Sequence, residues 1–195
     1  MIKRLSSTLY QYLISRFHKI HYSFLPNFIN GDRVSYITLP KCEQKVIITR
    51  EGKVTIGKKC SFGYKLGGRN KYGVIEFQAR ADNANIIIGD NIATNNNVFI
   101  CSHNRITIGD RTLIGENVTI MDFEAHGLLP DHRRKVGAIG EVIIGQNVWI
   151  GNNVTILKDT NIGENTIIAA GAVVSGSFPS NVIIGGIPAK IIKPI

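Results

Sequence analysis

Apolar residues recur at every sixth position along the C-terminal half of this chain, and that period constrains the fold more than any other feature. Ile144, Ile150, Ile156, Ile162, Ile168 and Val174 hold one register, mostly followed by Gly or Ala. A second register lies two residues earlier, at Val142, Val148, Val154, Thr160, Thr166 and Ala172. Each unit therefore sends one large and one small or β-branched side chain the same way. A helix, with a period of about 3.6, loses this phase within about two turns, whereas short strands joined by turns keep it indefinitely. The same phase appears at Ile108-Gly109, Ile114-Gly115 and Ile120, and earlier at Ile88-Gly89, Thr94 and Ile100, so the repeat covers most of residues 86–175.

The positions between are rich in Asn and Asp: Asp90, Asn91, Asp110, Asn117, Asn147, Asn152, Asn153 and Asn165. These residues visit left-handed backbone angles at little cost, which suits tight turns between strands. With 195 residues, 44% hydrophobic and 19% charged, the chain has enough apolar material for one extended core. Cys42, Cys60 and Cys101 are odd in number and lack metal-ligand spacing, which points to a reduced, cytoplasmic protein. No run approaches the roughly 18 apolar residues of a membrane-spanning helix, and no signal-peptide cleavage pattern follows the N-terminus. The net charge of +9 comes from scattered basic residues without interleaved aromatics. That distribution argues for anionic ligands and against nucleic acid. Walker and Rossmann fingerprints are absent, leaving nucleotide hydrolysis and hydride transfer without support.

Residues 1–30 do not repeat and form a candidate N-terminal helical segment, with residues 31–195 as the main domain. Leu5, Leu9, Tyr12, Leu13 and Phe17 have helical spacing among Lys3, Arg4, Arg16, His18, Lys19 and His21, predicting a short amphipathic helix that ends before Pro26. Such a helix packs on an open end of the strands or on a neighbouring subunit. The competing reading is peripheral contact of residues 1–25 with an anionic membrane at its inner face. Between Arg33 and Phe62 the repeat is ragged, with strand-like alternation at Val46, Ile48, Val54 and Ile56. Residues 64–85 break phase and predict a longer loop followed by another pair of strands. Gly67, Gly68, Arg69, Asn70 and Lys71 either line a substrate cleft or form a plain solvent loop.

The strongest interruption follows Ile120, where the chain leaves register for nearly twenty residues before Val142. Loops carried on rigid scaffolds concentrate function, and this one contains His126. An imidazole titrates near neutrality and can take a proton from a hydroxyl or amine nucleophile. Asp122, four residues earlier, is placed to orient that ring. His103, in a repeat turn, and His132, before Arg133-Arg134-Lys135, are weaker candidates.

Units such as Ile114-Gly115-Glu116-Asn117-Val118-Thr119 and Ile150-Gly151-Asn152-Asn153-Val154-Thr155 resemble the hexapeptide repeat of left-handed parallel β-helix acyltransferases, in which three units make one turn of a triangular prism. The implied fold is all-β, a left-handed parallel β-helix with a short N-terminal helix and an extended active-site loop. Left-handed coiling opposes the usual right-handed preference of parallel crossovers, so the proposal needs a strong repeating signal such as this one. Galactoside, maltose and polysaccharide O-acetyltransferases of this fold place a catalytic histidine after a segment that here reads Ile108-Gly109-Asp110, Ile114-Gly115, Asn117-Val118-Thr119. The Asp122-x-x-x-His126-Gly127 spacing is more similar to the polysaccharide branch than to the Gly-His-Pro form of the sugar enzymes.

The resemblance implies further roles. Asn95 matches an acceptor-binding asparagine, Trp149 a tryptophan lining the coenzyme A channel, and Asn152 a position near the thioester. Ala170 and Ser175 match contacts to the pantetheine arm, and Lys190 and Lys193 the basic pair facing the nucleotide phosphates. It covers residues 86–193 well and the first 85 poorly. The expected activity is acetyl-CoA-dependent O-acetylation of a sugar hydroxyl in surface polysaccharide biosynthesis, by a homotrimer with acetyl-CoA as cosubstrate and no metal. The alternatives are N-acetylation of an amino sugar or nucleotide-sugar, and a noncatalytic β-helix scaffold. A zinc enzyme like the β-helical carbonic anhydrases needs converging histidines, and the spacing of His103, His126 and His132 does not reproduce that family's pattern.

Overall fold

Alternation of buried and outward residues generates three flat faces that coil about one axis. A computed structural model describes Leu13, Arg16, Phe17 and residues 19–24, 28–64 and 73–195. Most of the expected N-terminal helix, His18, and the segment Gly67–Lys71 lie outside the described residues. The first face stacks Val34–Tyr36, Lys53–Ile56, Asn85–Ile88, Arg105–Ile108 and Glu141–Ile144 in parallel. The second stacks Lys41–Cys42, Ser61–Phe62, Ala93–Thr94, Leu113–Ile114, Trp149–Ile150, Ile167–Ile168 and Val182–Gly186. The third stacks Lys45–Thr49, Val74–Ala79, Phe99–Ser102 and Thr119–Met121. Thr155–Ile162 turns a corner, pairing with Thr119–Met121 through its first half and with Glu141–Ile144 through its second. The result is a left-handed parallel β-helix.

Both six-residue registers face inward. Ile144, Ile150, Ile156, Ile162, Ile168 and Val174 are buried together with Val142, Val148, Val154, Thr160, Thr166 and Ala172. Each buried isoleucine contributes roughly 1.5–3 kcal/mol relative to exposure, and the stacking makes one continuous core. The regular coils begin earlier than the clean repeat does. Residues 34–62, ragged in sequence, pair in register with the later coils, Val54 opposite Ile86 and Ile56 opposite Ile88. Inward positions keep their character there while the turns do not, which is why the period blurs.

The turn residues divide into two kinds. Asn91, Asn97, Asn117, Asn147, Asn153, Asn165 and Asn181 hold φ between 55° and 60°, the left-handed region expected of them. Their side chains also form ladders, Asn147 Nδ2 donating to Asn165 Oδ1 at 2.9 Å and Asn165 Nδ2 to Asn181 Oδ1 at 2.9 Å. Asp90, Asp110 and Asn152 act differently. Each accepts a backbone N–H from the preceding coil, those of Lys58, Asp90 and Glu116 respectively, at 2.7–2.8 Å.

The N-terminal end is closed by a π-helical turn, Lys19–Phe24, which packs on Lys41–Cys42 and Lys45–Thr49 with Tyr22 against the core. At the other end Ala189–Pro194 folds back antiparallel on Val182–Gly186. Among the described residues no helix is long and apolar enough to cross a membrane.

Candidate active site

His126 is carried on an arm that leaves the prism after Thr119–Met121 and returns at Glu141–Ile144. The arm doubles back on itself. Glu124 N–H donates to Ala138 O at 2.8 Å, Gly137 N–H to Glu124 O at 2.9 Å, Gly127 N–H to Lys135 O at 2.9 Å, and Gly140 N–H to Asp122 O at 2.7 Å. With its backbone groups paired internally, the excursion is a defined structure. Gly127 is required by close approach, because a Cβ there would stand 2.6 Å from both the Cβ and the carbonyl oxygen of His132. Lys158 ties the base of the arm to the next coil, with Nζ 2.8 Å from Asp159 and 3.7 Å from Glu124.

Nδ1 of the exposed His126 ring lies 2.6 Å from the carbonyl oxygen of Arg133. A carbonyl only accepts, so Nδ1 is the donor, and in the neutral ring the lone pair falls on Nε2. The orienting group is therefore this carbonyl and not Asp122. The Asp122 carboxylate is 0% exposed and accepts from Ser102 Oγ at 2.6 Å, His103 N at 2.6 Å and Asn104 N at 3.1 Å. Those bonds pin the root of the arm to the neighbouring coil. The expected pairing of Asp122 with the His126 ring is thus replaced by bonds to the neighbouring coil. His103 packs edge-on against Phe123 at 4.9 Å, and His132 lies in the turn Pro130–His132. Among the described residues no group of three His, Cys, Asp or Glu side chains is placed to hold a metal ion.

A cleft of about 310 Å³ opens on the second face and its corner with the third. It brings together three residues expected from sequence, Asn95, Trp149 and Asn152, and adds Tyr64, Leu113 and Gly115. Trp149 is 56% exposed although it sits in a strand, between Leu113 on one side and Ile167 on the other. Ala170 is exposed at the same corner one coil beyond Asn152, where Gly171 N–H bonds Asn152 O at 2.9 Å. Lys193 follows Trp149 along the ladder Trp149, Ile167, Ile183, Lys193, about 14 Å away at the usual strand spacing. Lys190 lies opposite Gly185 on the same exposed strand. Ser175 does not join this group. It stands at the corner between the third and first faces, in the irregular stretch between the pairs Ile156–Val174 and Thr160–Gly176. His126 does not line the cleft either, because its arm leaves from that same far corner.

The backbone N–H groups beside Asn152 are committed, Gly151 to Ile168 O at 2.8 Å and Asn153 to Glu116 O at 2.8 Å. An oxyanion would have to be met by other donors. Burial pushes the Cys101 thiol up to about 11, with the Asp122 and Glu76 carboxylates acting in the same direction, and burial also raises Cys60. Neither thiol is suited to nucleophilic chemistry. Tyr64 was not singled out from sequence. The available signal was its place at the first residue after Phe62-Gly63, where the phase breaks.

The family described as bacterial transferase hexapeptide (six repeats) matches residues 141–176. A galactoside O-acetyltransferase of Lactococcus lactis is 30% identical over 160 residues, spanning 82% of this chain and 75% of that protein. The chain belongs to the hexapeptide-repeat acetyltransferase family. A candidate lipopolysaccharide-biosynthesis O-acetyl transferase of Escherichia coli K12 is 42% identical over 120 residues, covering 55% of this chain and 60% of that one. A hexapeptide-repeat acetyltransferase of Vibrio cholerae, solved with acetyl-coenzyme A, superposes with a TM-score of 0.51 at 28% identity over 75% of this chain and 70% of that chain. The chain spans 55–60% of the length of several curated relatives it matches.

Proposed function

We propose that this member of the hexapeptide-repeat acetyltransferase family transfers acetyl from acetyl-CoA to a sugar hydroxyl, in a surface polysaccharide or its precursor. The observation that carries this reading is the His126 ring, whose Nδ1 is held by the Arg133 carbonyl so that Nε2 is left as a base. Nε2 takes the hydroxyl proton as the oxygen attacks the thioester carbonyl. The resulting tetrahedral intermediate expels the coenzyme A sulfur, which receives that proton from the imidazolium. The side-chain amide N–H of Asn152, whose Oδ1 already accepts from Glu116, is the assigned donor to the oxyanion.

Trp149 and Ala170 are assigned to the pantetheine arm, and Lys190 and Lys193 to the phosphates at the end of the same face. Asn95, deeper along the cleft, is assigned to the acceptor. His126 and Ser175 stand at the opposite corner of the prism, across the third face. A cyclic trimer answers that separation, because packing three prisms about one axis sets the arm of one copy beside the cleft of the next. A screen of candidate acceptors with detection of free coenzyme A thiol tests the activity. Thiol release that depends on a sugar hydroxyl supports it. Release seen only with amino sugars would move the assignment to N-acetylation, and none with any glycan would overturn it.

A further inference from the structure

The backbone of Tyr64 is clamped by a buried amide. Asn96, 3% exposed, accepts Tyr64 N–H through Oδ1 at 2.9 Å and points Nδ2 at Tyr64 O at 3.4 Å. The preceding residue is equally constrained. Gly63 has φ 82°, donates its N–H to Thr94 Oγ1 at 3.2 Å, and would place a Cβ 2.7 Å from Gln44. Buried amides fixed in this way are costly unless fully bonded, and here they hold the backbone of a residue that is 55% exposed. Tyr64 lines the cleft that also holds Asn95 and Trp149. The exposed, backbone-fixed Tyr64 and the Asn95 amide one coil away, with exposed Trp149 further along the same cleft, supply the elements of a recognition site.

Position along the prism decides which substrate the ring meets. From Trp149 the ladder runs through Ile167 and Ile183 to Lys193 in one direction, and through Leu113 and Ala93 to Ser61, three residues before Tyr64, in the other. Tyr64 therefore stands toward the end of the face remote from the lysines, one coil from Asn95. We propose that Tyr64 is an acceptor-recognising residue, its ring forming a stacking wall for a pyranose whose hydroxyls are read by the Asn95 amide. The C–H face of a pyranose is apolar and slightly positive, and matches the negative face of an aromatic ring. Amides suit its hydroxyl rim because they donate and accept at once. This inference rests on the sugar O-acetyltransferase reading above.

The test uses Trp149, the one tryptophan of the chain, as an internal reporter of the cleft. Its emission is titrated with coenzyme A and, separately, with methyl glycosides of common hexoses, in wild type, Tyr64→Phe and Tyr64→Ala. The expected result is glycoside binding weakened about fivefold to tenfold in Tyr64→Ala and at most about twofold in Tyr64→Phe, with coenzyme A affinity unchanged in both. Equal or larger weakening of coenzyme A would give the ring to the cosubstrate and overturn the proposal. A changed sedimentation coefficient in Tyr64→Ala with intact glycoside affinity would make it a subunit contact, with the same consequence. If wild type acetylates glycosides while Tyr64→Ala keeps full acceptor affinity, the proposal fails and the activity stands. If wild type neither binds glycosides nor releases thiol with them, the sugar reading itself fails and takes Tyr64 with it.

Discussion

The His126 ring is held by a backbone atom and not by an acid. Because the Arg133 carbonyl fixes the tautomer, replacing the Arg133 side chain should leave the ring orientation intact, whereas His126→Ala should lower kcat by at least about a hundredfold, the usual scale for losing a general base. Steady-state rates checked beside a thermal melt test this, and a folded variant with near-normal turnover would end the assignment. Cys101 supplies a second prediction at this scale. Its thiol ionises near 9.0 in an unfolded chain and near 11 in the fold. Below about pH 9 it is neutral in both states and does not affect pH dependence. Between those values only the unfolded chain ionises, so stability falls as pH rises through the window. Urea midpoints from pH 8 to 11 should decline less steeply in Cys101→Ala. That Asn95, Trp149 and Asn152 belong together was legible because motif positions are local, and so was the loop that carries His126. The partner of His126 was not, since a hydrogen bond to a carbonyl seven residues away leaves no side-chain signature.

Among the elements, the turns and the C-terminal strand carry separate burdens. Asn165 sits at φ 58° and bonds asparagines on both adjacent coils. Asn165→Ala should cost about 1–2 kcal/mol in urea unfolding, with Asn165→Gly losing less because glycine tolerates the angle. The strand Ala189–Pro194 presents Lys190 and Lys193, both exposed, at the end of the cleft face. Replacing both by Gln should raise the KM for acetyl-CoA about tenfold or more while the acceptor KM stays near its wild-type value, and the difference should shrink at high salt. Equal wild-type affinity for coenzyme A and its 3′-dephospho form would count against the phosphate contact. The arm shows why element-level reading is uneven. Its existence follows from lost periodicity, but its doubled-back hydrogen bonding depends on which carbonyls meet across it.

For the whole molecule, the separation of cleft and arm is the informative fact. Within one prism Trp149 lies on the cleft face and the His126 arm leaves from the corner between the third and first faces, so the proposed shared site would draw on a second copy. Mixing His126→Ala with Trp149→Ala, each inactive alone, under subunit exchange should restore part of the activity, because some sites then receive one intact residue from each chain. Sedimentation as a monomer at working concentration, or no recovery in mixtures proven to exchange, would defeat the shared site.

The six-residue period by itself determined short strands joined by turns with two inward registers, because every inward position is a local consequence of strand alternation, and its resemblance to the hexapeptide repeat supplied the left-handed β-helix. It also marked where the coil is interrupted and which histidine the interruption carries. What only the tertiary structure decided is everything that links positions on different coils or corners. The burial of Asp122 under Ser102 and His103, the Asn96 clamp on Tyr64, the sharing of one cleft by Tyr64 and Trp149 and the distance of Ser175 from that cleft are of this kind. These depend on how many residues each coil takes before it closes, and a single extra turn residue moves a side chain to another face without altering the repeat that surrounds it.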